Sequence, residues 1–321
     1  MPPTDPSSNT AAAGQEIVLR HGSQMANRML QYLVARRLQA TSPEHVITNC
    51  SIAEWNMVGP RAAPGHRAVP KIDEACFDIG LVERLLADGK LPRVMIRAVP
   101  CSLRALPSRA EAQDCFPTQP NSTVTLGSGD LAIHIRLGDI LVPGRHRDYG
   151  PLPIGFYRAL LEKTGLNPVF IGQIGEDWYS NALRAAFPEA EFHCGDVIED
   201  FEALRRARHI VPAVSTFSWM AAWLGAAETI HLPLSGLLNP RQCPKIDLLP
   251  TDDPRYRFYW FDPRPWHADA ADRERLTTSG EARGFGRTHA AALRREAREI
   301  SEPVTNAWRE RFLARIAELV T

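Results

Sequence analysis

A chain of 321 residues can form two domains of roughly 100–200 residues each. Its 37 Lys and Arg balance 37 Asp and Glu, so no whole-chain field draws it to nucleic acid or to an anionic bilayer. The 44% hydrophobic content suits ordinary cores, and no stretch approaches the ~20 apolar residues of a membrane span. Residues 1–15 are small and polar, without periodicity, and read as a disordered start. A strand over 16–20, a loop over 21–26 and a helix over 27–39 then open an α/β unit. The loop can present Asn27 to a cleft; alternatively Asn27 is the helix N-cap. Strands follow at 45–52 and 93–99, separated by a Pro/Gly-rich loop over 59–70 and a helix over 79–87. The proline-bearing tract 100–129 suits a crossing between domains.

From there strand and helix alternate: 131–136 with 154–164, 168–172 with 177–187, 190–193 with 198–207, and 208–213 with 216–225, ending on a strand over 228–232. Such alternation predicts a parallel sheet. After 233 it stops. A segment rich in proline and aromatics runs to 286, and two helices are predicted over 287–299 and 303–320. The last carries Trp308, Phe312, Ile316 and Val320 as an apolar stripe that must be covered, across two domains or in a homodimer. The Arg-rich helix before it reads as a solvated face. The six cysteines have no C-x-x-C pair or zinc spacing, so they read as free thiols of a reducing, cytoplasmic compartment.

The most informative stretch is Leu131 to Asp139. Leu131, Ala132, Ile133 and Ile135 read as a strand buried on both faces, with His134 and Arg136 pointing to one side. Open α/β sheets bind ligands at the C-terminal ends of their strands, and a guanidinium there can fork onto two phosphate oxygens. The plainer alternative pairs Arg136 with Asp139 and leaves His134 a satisfied core histidine. Farther on, Ser215, Thr216 and Ser218 stand where a helix begins. They are caps, or with the first-turn amides they are an anion site. The apolar run from Phe217 to Leu224 reads as that helix packing into the core.

These residues carry a resemblance. His134-Ile135-Arg136-Leu137-Gly138-Asp139 resembles the His-x-Arg-x-x-Asp motif of fucosyltransferases, whose arginine contacts the diphosphate of GDP-fucose. Ser215-Thr216-Phe217-Ser218-Trp219-Met220-Ala221-Ala222-Trp223-Leu224 is similar to the Ser-Ser-Phe-Ser-Trp-Trp-x-Ala-Trp-Leu run of the α-1,2-fucosyltransferase family. Ala26-Asn27-Arg28-Met29-Leu30-Gln31-Tyr32 resembles that family's Gly-Asn-Gln/Arg-Met-Phe-Gln-Tyr loop, and Pro151-Leu152-Pro153 with Phe156-Tyr157 looks like the stretch before its next helix. The order matches the family's, over residues 16 to 235. Departures are Ala26 for glycine, Leu137 for a second arginine and Met220 for a second tryptophan.

The resemblance implies an α/β, GT-B-like fold: two Rossmann-like parallel-sheet domains facing a cleft, with C-terminal helices. Residues 16–127 would form the acceptor side and 128–235 the nucleotide-sugar side, with 236–321 packing across both. It implies an inverting transfer of fucose from GDP-fucose to a glycan hydroxyl by a monomer or homodimer, with any membrane contact peripheral. Stabilising the leaving diphosphate is the largest task. Arg136 and the Ser215, Thr216 and Ser218 helix start would do it, with His134 and Asn27 in the same donor site. No cofactor and no metal are expected, since the chain has no Asp-x-Asp metal clamp. The base that deprotonates the acceptor is Asp139 or Asp148, either of which can instead be structural; His146 shares a polar, flexible loop, 144–150, with Asp148. Gln173, Glu176 and Asp177, with Asp200 and Glu202, are candidates to read guanine, or are solvated loop acids. Two further readings stay open: a glycosyltransferase of the same fold with another nucleotide sugar, and a non-catalytic nucleotide or glycan binder.

Overall fold

The computed structural model describes residues 14–320 apart from 21, 23, 66–68, 121–123, 279 and 281. The start over 1–13 and parts of the loops over 21–26 and 59–70 thus lie outside the described residues. The chain divides into two compact units, residues 1–116 with 299–321, and residues 117–298.

Unit 1 contains β1 (Glu16–Leu19), α1 (Met25–Thr41), β2 (Val46–Thr48), the hairpin β3 (Ser51–Ile52) and β4 (Met57–Val58), β5 (Lys71–Ile72), α2 (Ile79–Ala87), β6 (Arg93–Ile96) and α3 (Arg109–Cys115). Its four-stranded sheet is parallel, in the order β2-β1-β6-β5. The single strand expected over 45–52 is broken because Asn49 takes a left-handed conformation, φ 56°, which ends β2 and turns the chain into β3. Helix α3 is fixed by a capping box: Ser108 accepts from the Glu111 amide at 3.3 Å, and Glu111 accepts from the Ser108 amide at 2.8 Å.

Unit 2 follows as β7 (Asp130–Ile135), α4 (Ile154–Thr164), β8 (Asn167–Gly172), α5 (Trp178–Ala186), β9 (Glu191–His193), α6 (Val197–Arg206), β10 (His209–Val211), α7 (Thr216–Leu224), β11 (Thr229–Leu234), β12 (Tyr256–Trp260), α8 (Ala270–Thr278) and β13 (Arg283–Phe285). The last helix, α9 (Arg287–Val320), starts in unit 2 and ends in unit 1. The seven-stranded sheet has the order β13-β12-β11-β10-β7-β8-β9, and all neighbours are parallel except β12 and β13. Each unit is therefore a Rossmann-like α/β layer structure.

Strand β7 lies inside the sheet, and Leu131 through Ile135 are all buried, as expected of a strand covered on both faces. The chain runs outward from β7 to β8 and β9, then returns to β10 on the other side of β7. This reversal opens a crevice beyond the C-terminal ends of β7 and β10.

Three expectations for the last third are corrected. The alternation does not stop at 233: β12 extends the parallel sheet, with Tyr256, Phe258 and Trp260 buried in period two. The two C-terminal helices are one, because Glu299, Glu302 and Pro303 are exposed, so water can solvate the carbonyl that the proline ring leaves unpaired. The Arg-rich stretch is not merely a solvated face: Arg294 and Arg298 both clamp Asp247, the latter at 2.9 Å. Trp308 and Phe312 are buried within unit 1, where Trp308 meets Phe77 edge-on at 5.7 Å and donates to the Lys71 carbonyl at 3.2 Å. No helix among the described residues is long and apolar enough to cross a membrane.

Candidate functional site

The crevice gathers two of the predicted segments. Arg136 follows β7 directly, and Pro212 to Ser215 follow β10. His134, Arg136, Ala213 and Val214 line one cavity of about 10 Å³ together with Tyr157 and Tyr179, space for about one water.

Arg136 is the hub. Its guanidinium donates to the Leu137 carbonyl, to Gln173 Oε1 at 2.8 Å and to Asp139 Oδ1, while its side chain keeps 22% exposure. Gln173 Oε1 also accepts from the Leu137 amide at 2.9 Å. Gln173 is brought there by Gly172, whose φ of 125° and lack of a Cβ let β8 close on β7; a side chain would overlap the Ile135 carbonyl and meet the His134 ring at 3.0 Å.

Asp139 bridges Arg136 to a residue seven positions on: its Oδ2 lies 3.0 Å from His146 Nε2. Burial raises the Asp139 carboxyl, but the hydrogen bonds from Arg136 and His146 outweigh it and hold the group below the ordinary carboxylate range. The loop that carries His146 was expected to be flexible; it is anchored instead. Trp266 Nε1 donates to the Ile140 carbonyl at 2.6 Å, the Trp266 amide to the Arg147 carbonyl at 2.8 Å, and the Leu237 amide to the Asp148 carbonyl at 2.9 Å. Asp148 itself accepts from Gln242 Nε2 at 3.0 Å and stands beside Cys243, whose thiol is pushed up to about 12 by burial and then by that carboxylate.

His134 is 4% exposed and stacks on Phe217 with ring centroids 5.2 Å apart. Its Nδ1 has no hydrogen-bond partner, so it is not the satisfied core histidine of the plainer reading. Burial, then the charge of Arg136, pushes it down to about 3, and it is neutral at every physiological pH. Burial similarly pushes His231 down to about 4, with His209, Arg257 and Lys163 adding to the effect. Unfolded histidines take up protons below about pH 6.5, whereas these two stay neutral in the native state. Stability is therefore lost as pH falls from about 6.5 toward those lower values, by about 1.4 kcal/mol per group per pH unit. Thermal melts between pH 7 and 5 should show that decline, and His134→Phe, which keeps a ring against Phe217, should flatten it. Equal slopes for the two proteins would contradict this assignment.

At the start of α7, Ser215 is the N-cap, its hydroxyl accepting from the Phe217 amide at 3.2 Å; Thr216 is the first helical residue, and buried Ser218 sits within hydrogen-bond reach of the Ala213 carbonyl at 3.5 Å. The residues expected to read guanine divide. Gln173 is committed to Arg136, and Asp177 caps α5 by accepting from the Tyr179 and Ser180 amides at 3.0 Å. Glu202 is fully buried against Arg205 at 3.5 Å and Arg206 at 3.8 Å. Glu176 is exposed. Asp200 accepts from the Gly195 amide at 3.1 Å, and burial, together with the nearby charges of Asp196 and Glu199, raises it to about 6.

Asn27 lies in unit 1, inside the first turn of α1, whose N-cap is Gln24. It is not the helix cap. Unit 1 also holds a groove of about 900 Å³ lined in part by Tyr32, Arg36, Arg37, Glu83, Glu111 and Asp114, none of them predicted as a site residue. All six cysteines are free thiols. Sequence reasoning missed the contact of His146 with Asp139 and the part of Gln242, because the partners stand 7 and 94 positions apart and no spacing rule governs them.

No family model matches the chain, and no curated protein sequence matches it. Two solved structures resemble it at low similarity. A mutant of Arabidopsis thaliana FUT1 in complex with GDP is 10% identical, with a TM-score of 0.40 over 67% of this chain and 70% of that one. The E. coli ADP-heptose lps heptosyltransferase II is 13% identical, with a TM-score of 0.39 over 88% of this chain and 99% of that one.

Proposed function

We propose that the chain is a GT-B glycosyltransferase that transfers fucose from GDP-fucose to a hydroxyl of a glycan acceptor, with inversion and without a metal. The observation that carries the reading is the strand reversal of the seven-stranded sheet, which brings Arg136 and the start of α7 to one crevice. A partly exposed guanidinium and first-turn amides suit a diphosphate whose negative charge grows as the sugar leaves. The sequence motifs support fucose and guanosine in particular. Ser215, Thr216 and Ser218 belong to the helix end of this site, His134 lines the same small cavity as Arg136, and Asp200 and Glu176 remain the acids to read the base. Asn27, in unit 1, is kept as a donor-site candidate on the family-like loop that carries it.

A second reading, another nucleotide sugar, is favoured by one observation: Gln173 and Glu202 are already taken by arginines. A donor screen by mass spectrometry over GDP-fucose, GDP-mannose and UDP sugars, with calorimetry of GDP and UDP, separates the two. We expect GDP-fucose to be consumed and GDP to bind more tightly than UDP. Excess EDTA should leave transfer intact; loss restored by magnesium or manganese would overturn the metal-free mechanism.

A further inference from the structure

Of the two carboxylates first considered as bases, Asp139 is engaged by Arg136 and His146, and Asp148 by Gln242. Both oxygens of Asp139 are occupied, one of them by a cation. We propose that His146 is the base that deprotonates the acceptor, through Nδ1, and that Asp139 is its positioning residue. This rests on the glycosyl-transfer reading above.

The tautomer follows from the partners. An ionised carboxylate can only accept, so Nε2, 3.0 Å from Asp139 Oδ2, carries the ring proton and the lone pair of the neutral imidazole falls on Nδ1. The same carboxylate binds Arg136 through its other oxygen, which sets the imidazole one residue away from the guanidinium assigned to the diphosphate. The groups facing His146 are the Asp139 carboxylate, Arg136 behind it, and the Tyr149 ring at 5.4 Å. Its side chain is 30% exposed, so a sugar hydroxyl can reach it, and the anchored loop fixes its position before substrate arrives.

The step balances. The acceptor hydroxyl gives its proton to Nδ1 and its oxygen bonds to the anomeric carbon. The bond from that carbon to the diphosphate breaks, and its electron pair leaves on the phosphate oxygen beside Arg136. His146 then returns the proton to solvent.

The test uses the full chain with GDP-fucose and a mixed array of mono- and oligosaccharides as acceptors, comparing wild type with His146→Gln and His146→Ala. His146→Gln should lower kcat by about 100-fold, the lower end of general-base effects, while GDP affinity by calorimetry stays unchanged. The acid-side limb of the kcat/KM profile should disappear with it, and added imidazole should restore part of the rate to His146→Ala. A His146→Gln variant within about twofold of the wild-type kcat would overturn the inference and leave the glycosyl-transfer reading standing. A wild-type protein that binds no GDP and transfers nothing to the array would overturn both.

Discussion

Lysine in place of Arg136 is expected to lower turnover at least about tenfold, equivalent to about 1.4 kcal/mol of transition-state binding. The charge survives in that variant; the geometry does not. The guanidinium donates to three different oxygens at once, those of Leu137, Gln173 and Asp139, and a single ammonium cannot reproduce a planar fork between β7 and β8. Steady-state kinetics of the donor found in the screen provide the measurement. Unchanged kcat/KM for Arg136→Lys would remove this residue from the site, and with it the role assigned to the crevice.

The second large effect is on stability. Trp219 is fully buried in α7, stacks on Trp223 with centroids 5.5 Å apart and donates from Nε1 to the Leu248 carbonyl at 2.8 Å. Trp219→Ala should destabilise the protein by about 3–5 kcal/mol, since it opens a cavity and strips a buried carbonyl of its donor. Urea denaturation would read this as a lower midpoint. A loss below about 1 kcal/mol would mean that α7 is held elsewhere, and that the start of the helix does not depend on this anchor.

Much of unit 2 was legible because its signals are local. Helix 154–164 was expected and found over the same residues, and the strand expected at 131–136 is β7, displaced by one residue. Apolar runs bounded by Pro, Gly and Asp leave few other solutions there. The capping box Ser108 to Glu111 was also written in the sequence, but it follows Pro107 in a tract read as a crossing, and α3 went unnoticed. Strand β12 was hidden differently: the alternation of Tyr256, Phe258 and Trp260 is plain, yet prolines on both sides suggested an irregular segment. In the site, the Arg136 to Asp139 pair could be read from a spacing of three. The clasp of Gln173 on Arg136 depends on the register of β8 against β7, and the bridge to His146 on how Trp266 pins a loop more than 100 residues earlier. Such partners meet only after the sheet has formed.

The discontinuous make-up of unit 1 also bears on how the protein is made. Trp308 and Arg309, which cover Phe77 and bind Asp78 at 2.9 Å, are synthesised after every residue of unit 2. On the ribosome, the first 116 residues therefore wait, with Phe77 uncovered, while a second unit is built. A chain truncated before α9 would lack both the ring that meets Phe77 and the guanidinium that binds Asp78, so unit 1 is complete only once its last helix is made.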